Sequence, residues 1–185
     1  MIIRRLNPTD WDAYRTIRLE ALQLAPEAFG SDHAEASRRT PEDWAAGLSL
    51  PDTVVLGAFT EAASPAAEGQ IVGMAGITRE RRAKTRHKAT VHGVYVSPAV
   101  RGAGCAKALV TDLIRLARAM GGVEQLMLCV VSENTAAKAV YTGLGFRVYG
   151  REPRALKLGE RYLDEELMVL ELAPSEQVIT EHQPR

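Results

Sequence analysis

One stretch of the chain, residues 94–107, carries most of the information about its architecture: Val94-Tyr95-Val96-Ser97-Pro98-Ala99-Val100-Arg101-Gly102-Ala103-Gly104-Cys105-Ala106-Lys107. An apolar run ends at Val96, a turn with two glycines follows, and a helical pattern begins at Gly104. Glycines let the backbone approach an anion closely, and the free N–H groups and dipole of a first helical turn favour negative charge. The stretch therefore favours a phosphate-type site, with an ordinary β–α turn as the alternative.

Outward from this stretch, apolar runs alternate with amphipathic segments. Strands are predicted at 1–6, 53–59, 70–78, 89–96, 125–131, 146–150 and 162–172, and helices at 10–24, 41–50, 104–120 and 135–142. Segment 26–40 shows no clear periodicity, and 61–69 resembles a loose hairpin loop. The strand–helix–strand units at 89–131 and 125–150 predict locally parallel strands. The order favours an α/β (α+β) fold with helices on both faces of a mixed sheet, in one domain over 1–172 with a flexible tail at 173–185.

Composition excludes several classes of protein. In 185 residues, 23 Lys and Arg balance 23 Asp and Glu, which argues against bulk non-specific DNA binding. The N-terminus has no signal-peptide pattern and no run is long enough to span a membrane, so we expect a cytoplasmic protein with no membrane partner. Cys105 and Cys129 are expected to be reduced and buried, and the four His show no metal-ligand spacing.

The glycine turn and the basic segment 79–88 each argue against a known class of binding site. The glycine turn is neither a dinucleotide-binding fingerprint, because Lys107 stands where the third Gly belongs, nor a Walker loop. Segment 79–88 holds six Lys and Arg with one Glu, and is most simply a solvated hairpin tip. It has no interleaved aromatic residues, so we expect no nucleic-acid partner, although it could attract an acidic acceptor.

The motifs together resemble the GCN5-related N-acetyltransferase (GNAT) superfamily. Its pyrophosphate loop, Gln/Arg-x-x-Gly-x-Gly/Ala, is matched at every position by residues 101–106, and Asn134-x-x-Ala137-x-x-x-Tyr141-x-x-x-Gly145-Phe146 resembles a second family motif. The resemblance covers roughly 1–172. It implies a GNAT fold, a mostly antiparallel sheet of about seven strands with a splay between two central parallel strands. It also implies an enzyme, monomer or homodimer, that transfers acetyl from acetyl-CoA directly to an amine, without a metal.

The resemblance assigns a set of cofactor contacts. The amides from Gly102 to Lys107 suit the pyrophosphate, and strand 94–96 can pair with the amides of the pantetheine arm. Amides at Val94 and Val96 would also polarise the thioester carbonyl. Asn134 can cap a helix, hold the cofactor arm near sulfur, or do both. The complete expected set is Val94, Tyr95, Val96, Arg101, Gly102, Ala103, Gly104, Cys105, Ala106, Lys107 and Asn134.

Two residues are candidates for proton transfer. Tyr141 matches the family position of a general acid that protonates the departing thiolate, with a packed aromatic as the alternative. His92 shares the strand parity of Val94 and Val96, so it would lie near the thioester as a general base if no bulge intervenes. A structural role for His92 is the alternative, and Glu80, Glu133 or a water chain could replace it as base.

The acceptor amine is not visible in the sequence. By family analogy, the loop at 26–40, with Phe29, Asp32, His33 and Glu35, and the segment 151–165 are candidate acceptor contacts. Phe29 and Glu80 are the specific substrate contacts that we expect. A small amine, an antibiotic and a protein amine remain open as acceptors, and a CoA-binding sensor without turnover is the alternative function.

Overall fold

A computed structural model describes residues 1–61 and 69–172. Most of the expected hairpin loop at 61–69 and the expected flexible tail at 173–185 therefore lie outside the described residues. The strands are β1 (Ile2–Arg5), β2 (Thr53–Phe59), β3 (Ile71–Arg79), β4 (Lys88–Val96), β5 (Gln125–Val131), β6 (Arg147–Leu158) and β7 (Arg161–Glu171). The helices are α1 (Trp11–Leu24), α2 (His33–Ser37), α3 (Pro41–Gly47), α4 (Cys105–Ala119) and α5 (Thr135–Gly143), with 3₁₀ turns at Pro8–Asp10, Pro26–Ala28 and Pro98–Val100.

The described strands form one seven-stranded sheet in the order β1-β2-β3-β4-β5-β7-β6. Every neighbouring pair is antiparallel except β4 and β5, which are parallel. The mixed, mostly antiparallel sheet is therefore confirmed. The unit 125–150 does not produce adjacent parallel strands, because β7 returns between β5 and β6 and pairs with both.

Helices cover both faces of the sheet, as expected. On one face, α4 buries Leu109, Val110 and Leu113 completely against the central strands. On the other face, Ile17 and Ala21 of α1 pack on Met74 of β3. Because β2 and most of β3 lie between these two layers, their residues are buried on both faces, which explains their nearly continuous apolar sequences.

Two helices show what local signals can and cannot predict. The capping box of Thr40 and Asp43, with Pro41 at the first helical position, starts α3 where expected. Helix α2 was not predicted, because five residues are too few to show a 3.6-residue period. Its start at Asp32, whose side chain accepts from the Glu35 amide, is a capping signal that the sequence does contain.

The last hairpin is longer than the sequence predicts. Strand β6 continues to Leu158 rather than ending near 150, and two register shifts against β7 accommodate its irregular path. Its residues are mostly exposed, so the alternation that marks a half-buried strand is weak there. Among the described helices, none combines the length and the apolar character needed to cross a membrane.

Candidate functional site

A gap opens between the two parallel strands at the centre of the sheet. Strands β4 and β5 pair only over Lys88–Thr90 and Gln125–Met127, although both continue well beyond these residues. Each strand keeps its other neighbour, β3 or β7, along its length. Their facing edges beyond Thr90 and Met127 therefore carry backbone groups that do not pair with each other across the gap.

A bulge in β4 determines which side chains face which layer. The register against β3 shifts between Met74, opposite Tyr95, and Gly76, opposite His92. Within this bulge, Gly93 has a φ of 63°, a left-handed conformation that glycine adopts without steric cost. The extra residue reverses the alternation of side chains between His92 and Val94.

The expectation that His92 shares a face with Val94 and Val96 is therefore wrong. Val94 and Val96 pack on the α4 side, whereas Tyr95 belongs to the cluster on the α1 side. His92 faces the α1 side too, where it shares a cavity with Tyr14 and Trp44. A shared face requires a regular strand, and the bulge at Gly93 breaks that regularity.

The same alternation aims backbone groups of β4 into the gap. The Ser97 amide donates to the Val72 carbonyl at 2.9 Å, so Ser97 faces β3. In an antiparallel pair, alternate residues bond to the same neighbour, which directs Tyr95 toward β3 and Val94 and Val96 toward β5. The Val96 carbonyl accepts from Arg101 Nε at 3.1 Å. The Val96 N–H points into the gap, because it lies on the strand edge that faces β5.

At the end of the gap, the glycine turn presents amides to open space. Gly102 and Gly104 have φ values of 82° and 79°, and a Cβ on either would meet nothing within 4 Å. These glycines serve backbone conformation, not close packing. Gly104 is the N-cap of α4, and no side chain among the described residues caps the first-turn amides. Exposed Lys107 adds positive charge there, so the turn fits an anion.

The two cysteines differ in their exposure to solvent. Cys105 lies 2% exposed beneath the glycine turn, and a Cβ on Gly73 would lie 3.1 Å from its Sγ. Burial raises the pKa of its thiol, which opposes the lowering that a helix N-terminus can cause. Cys129 on β5 is exposed, so the expectation that both cysteines are buried is wrong for Cys129; both are free.

Tyr95 and Arg101 hold β4 and its following turn. The Tyr95 hydroxyl and Ser97 Oγ both donate to Glu20 Oε1 of α1, at 3.1 and 2.6 Å. Burial, reinforced by Glu20, raises the pKa of Tyr95 to about 12, so its hydroxyl remains a donor. The Tyr95 ring thus lies on the α1 side and its backbone groups face β3, so neither is directed into the gap. Ala103 is exposed in the turn, and Ala106 is half-buried in the first turn of α4.

Asn134 and Tyr141 lie on α5, beyond the end of β5. Asn134 Oδ1 accepts from the Ala137 amide at 3.1 Å, so the expected helix cap is present and the amide NH₂ group remains as a donor. Tyr141 is 7% exposed and packs edge-on against Phe146 with ring centroids 6.0 Å apart. Burial raises the pKa of its hydroxyl to about 12.

His92 lies at the end of a short hydrogen-bonded chain. Its Nε2 is 3.0 Å from Thr78 Oγ1, which is 3.0 Å from Thr53 Oγ1. Its ring covers Gly76, where a Cβ would lie 2.8 Å from Nδ1, so this position requires glycine. The surrounding protein atoms, and then the charge of Arg18, lower the pKa of His92 below 6.5. His92 is therefore neutral at pH 7 and able to accept a proton.

A cavity of about 480 Å³ adjoins His92. It is bounded by α1, α3 and the ends of β2 and β3. Its lining includes Tyr14, Trp44, Leu50 and Val55 on the apolar side, and Arg39, Asp43, Arg79, Glu80, Arg81 and Arg82 on the charged side. The basic segment 79–88 therefore contributes to this cavity and is not only a solvated hairpin tip.

The structure brings some of the expected acceptor residues together and separates others. Glu80 lines the cavity with His92, whereas Phe29 does not line it and packs under Arg18, whose Cζ lies 4.7 Å from the ring centroid. Asp32, His33 and Glu35 belong to the start of α2. Glu133 is exposed and pairs with Arg161. In the described parts of the chain, no group of three His, Cys, Asp or Glu could hold a metal ion.

Comparison with known proteins identifies the family. A family model described as "Acetyltransferase (GNAT) family" matches residues 17–146, which include the bulge, the glycine turn and Tyr141. This chain belongs to the GNAT acetyltransferase family. The open sheet with its parallel β4–β5 pair at the splay is the GNAT fold.

Relatives and solved structures within this family cover most of the chain. It is 34% identical over 147 residues to mycothiol acetyltransferase of Salinispora tropica, a match over 78% of this chain and 44% of that protein. It is 29% identical over 136 residues to L-methionine sulfoximine/L-methionine sulfone acetyltransferase of Pseudomonas aeruginosa, over 74% and 78% of the two chains. The chain thus spans less than half of the mycothiol enzyme. The structure of yncA from Salmonella typhimurium, solved with its cofactor acetyl-CoA, is similar at a TM-score of 0.75 and 26% identity, over 96% of this chain and 99% of that chain.

Four residues in or next to the candidate site were missed by sequence reasoning: Arg18, Glu20, Arg39 and Thr78. Arg18 and Glu20 interrupt the apolar face of α1 at half-buried positions, and this is the one signal that could have marked them. Arg39 and Thr78 carry no local signal, because tertiary contacts alone bring them to the cavity.

Proposed function

We propose that this domain catalyses transfer of the acetyl group of acetyl-CoA to an acceptor amine by direct attack on the thioester. The observation that carries the proposal is the gap between β4 and β5, with free amides along one edge and an anion-binding turn at its end. A slot of this kind fits a ligand with a peptide-like arm and a pyrophosphate.

The cofactor contacts follow from this arrangement. The amides from Gly102 to Lys107 would hold the pyrophosphate, and the backbone of Val94 and Val96 would pair with the amides of the arm. Arg101 would contribute indirectly, since it ties the turn to the Val96 carbonyl. The free NH₂ group of Asn134 would donate to the arm across the gap. Acetyl-CoA supplies an activated acyl group, and the N–H groups of β4 would stabilise negative charge on its carbonyl oxygen.

We assign His92 as the group that removes the proton of the attacking amine. As the new C–N bond forms and the C–S bond breaks, the nitrogen must lose one proton and the thiolate must gain one. His92 is neutral at pH 7, lies at the bulge and opens onto a cavity on the α1 side. Its bond with Thr78 orients the ring so that the other nitrogen can face the acceptor.

Tyr141 is the candidate donor of a proton to the thiolate. It lies on the α4 side of the sheet and remains protonated because burial raises its pKa. A phenol of that pKa is a weak acid, so it acts best through a hydrogen bond that becomes a transfer as charge develops on sulfur. The same low-dielectric surroundings raise the proton affinity of a thiolate, which reduces the mismatch.

The acceptor is a primary amine whose further identity is open. Two relatives bear the names of a mycothiol acetyltransferase and a methionine sulfoximine acetyltransferase, which indicate small acceptors, whereas a third bears the name N-alpha-acetyltransferase RimI. A cavity of about 480 Å³ is consistent with a small molecule. We therefore favour a small amine over a protein N-terminus.

A thiol-release assay tests the proposal. Purified protein is mixed with acetyl-CoA and a panel of amines, amino acids, aminoglycosides and peptides, and acetyl-CoA binding is measured in parallel by calorimetry. Release of free CoA with at least one acceptor, together with the acetylated product by mass spectrometry, supports the proposal. Tight binding of acetyl-CoA without release for any acceptor would favour a CoA sensor instead.

A further inference from the structure

Arg18, which approaches the bulge next to His92, and Arg39, which lines the cavity, have no acidic partner among the described residues. Arg18, half-buried on α1, donates from Nη2 to Ser31 Oγ at 3.1 Å and stacks on Phe29. Arg39, which follows α2, stacks over Trp44 at 5.5 Å and lines the cavity. Within residues 1–61 and 69–172, neither forms an ion pair.

Most of the other charged side chains that line the cavity form hydrogen bonds or ion pairs of their own. Arg79 Nε donates to the Arg86 carbonyl at 2.8 Å, and Arg81 Nε lies 3.5 Å from Asp52 Oδ2. Asp43, one of the two acids that line the cavity, accepts from the Thr40 amide at 2.9 Å as part of the α3 capping box. In the part of the chain that the structure describes, neither acid that lines the cavity, Asp43 or Glu80, forms an ion pair with Arg18 or Arg39.

The two arginines also act on each other. Partial burial is the main cause that lowers the pKa of Arg18; the Tyr14 hydroxyl opposes this effect, and the positive charge of Arg39 adds to it. Holding two guanidinium groups near each other, one of them half-buried, is unfavourable in the absence of an anion. Aromatic faces offset part of this cost, but they supply no negative charge.

Their position relates them to the proposed base. Arg18 Nη1 would lie 3.9 Å from a Cβ on Gly93, the residue of the bulge next to His92. Arg39 shares the cavity with His92. The glycine turn lies at the other end of β4, at the start of α4, which packs on the opposite face of the sheet. An anion held by these arginines is therefore not a phosphate bound at that turn.

We propose that the acceptor carries an oxyanion, such as the carboxylate of an amino acid, and that Arg18 and Arg39 bind it while its amine faces His92. The proposal rests on the proposed acetyltransferase function and names the substrate class of that same site. Guanidinium groups suit this role because their planar N–H pairs match the geometry of carboxylates and phosphonates. The apolar side of the cavity, formed by Tyr14, Trp44, Leu50 and Val55, would accept the rest of a small molecule.

The test compares acceptors that differ only in the anion. Wild-type protein is assayed by thiol release with L-methionine and L-phenylalanine, with the primary amide of each, and with 3-aminopropylphosphonate and its uncharged counterpart n-propylamine. The same set is run on Arg18→Gln, Arg39→Gln and the double variant, with Arg38→Gln as the control because Arg38 is an exposed neighbour outside the cavity. Thermal shifts with the N-acetylated acids and their amides provide a readout of binding that does not depend on turnover.

We expect at least one anionic acceptor to exceed its uncharged counterpart by roughly tenfold or more in kcat/KM, mainly through KM. Each Gln variant should reduce that preference and the thermal shift from the N-acetylated acid, whereas Arg38→Gln and the affinity for acetyl-CoA should not change. Preference for the phosphonate over every carboxylate would assign the anion as a phosphonate or phosphate. Equal use of acids and amides, or an anion preference that survives in the double variant, would overturn the inference while leaving the acetyltransferase intact. Arginine-dependent binding of the acids without release of CoA for any acceptor would retain the anion site and reject the proposed function.

Discussion

Gly93 has a φ of 63° and sits between the two residues on which the proposed chemistry depends most. Its left-handed backbone adds one residue to β4 relative to β3, so His92 and Val94 face opposite sides of the sheet. In a regular strand, side chains alternate between the two faces, so His92 and Val94 would have faced the same side. A single glycine therefore separates the proposed cofactor slot from the proposed acceptor cavity.

At the residue scale, Gly93→Ala should destabilise the fold. Left-handed backbone costs a residue with a Cβ about 1 kcal/mol, which corresponds to a loss of about 2–4 °C in Tm for a chain of this size. Gly47→Ala is the matched control, since Gly47 has an ordinary φ and open space around it, and its Tm should equal or exceed that of the wild type. Equal Tm values for Gly93→Ala and wild type, by differential scanning calorimetry, would show that the left-handed backbone is not required.

His92→Gln tests the proposed base through its pH dependence. The pKa of His92 lies below 6.5, so the wild-type kcat/KM should rise with pH through that lowered value and reach its plateau once His92 is neutral. The variant should lose roughly 10²-fold or more in kcat and should lack this acidic limb. His87→Gln, on the basic hairpin, is the control. A variant that retains both the rate and the limb would remove His92 from the mechanism.

Tyr141→Phe removes one hydroxyl from a buried ring. Packing against Phe146 should be kept, so Tm should change little, while kcat should fall by roughly 10²-fold if the hydroxyl protonates the thiolate. Tyr149→Phe, at an exposed tyrosine on β6, should leave kcat unchanged. The decisive measurement is single-turnover CoA release, and an unchanged rate there would leave Tyr141 with a packing role only.

At the scale of elements, the glycine turn and α4 act together as one anion-binding unit. Gly104→Ala strains the N-cap of α4 without filling any occupied space, so it should raise KM for acetyl-CoA several-fold with a small effect on kcat. Gly159→Ala is the matched control: it has a φ of 60° and open space, but it lies in the turn between β6 and β7. Similar KM values for both variants would mean that the turn does not bind the pyrophosphate.

The long elements could be predicted from sequence and the short or polar ones could not. Helix α4 shows a complete apolar stripe, and the predicted 104–120 agrees with the observed Cys105–Ala119. Helix α2 has five residues, and the extension of β6 to Leu158 is exposed on most of its length, so neither shows a hydrophobic period. In the candidate site, the turn was predictable because its glycines are adjacent in sequence, whereas Arg18, Arg39 and Thr78 lie far apart along the chain.

At the scale of the whole molecule, the fold places one thiol in the core and the other on the surface. Cys129 faces the α1 side of β5 and is exposed, whereas Cys105 is covered by β3 and α4. The native protein should therefore react with Ellman's reagent at one thiol rapidly and at the second only after denaturation. Cys129→Ser should abolish the rapid phase and Cys105→Ser should retain it. Two thiols that react at equal rates in the native protein would contradict this arrangement.

The amino-acid sequence by itself determined the order of most elements and the position of the glycine turn, because periodicity and local turn chemistry act over a few residues, and its two motifs carried the resemblance to the family. Only the tertiary structure decided that β7 inserts between β5 and β6, that the bulge at Gly93 turns His92 away from Val94, and that the basic hairpin helps to line a cavity with Arg39. These features depend on strand register and on contacts between distant segments. A one-residue shift in register reverses every side chain of a strand, and no local pattern reports it.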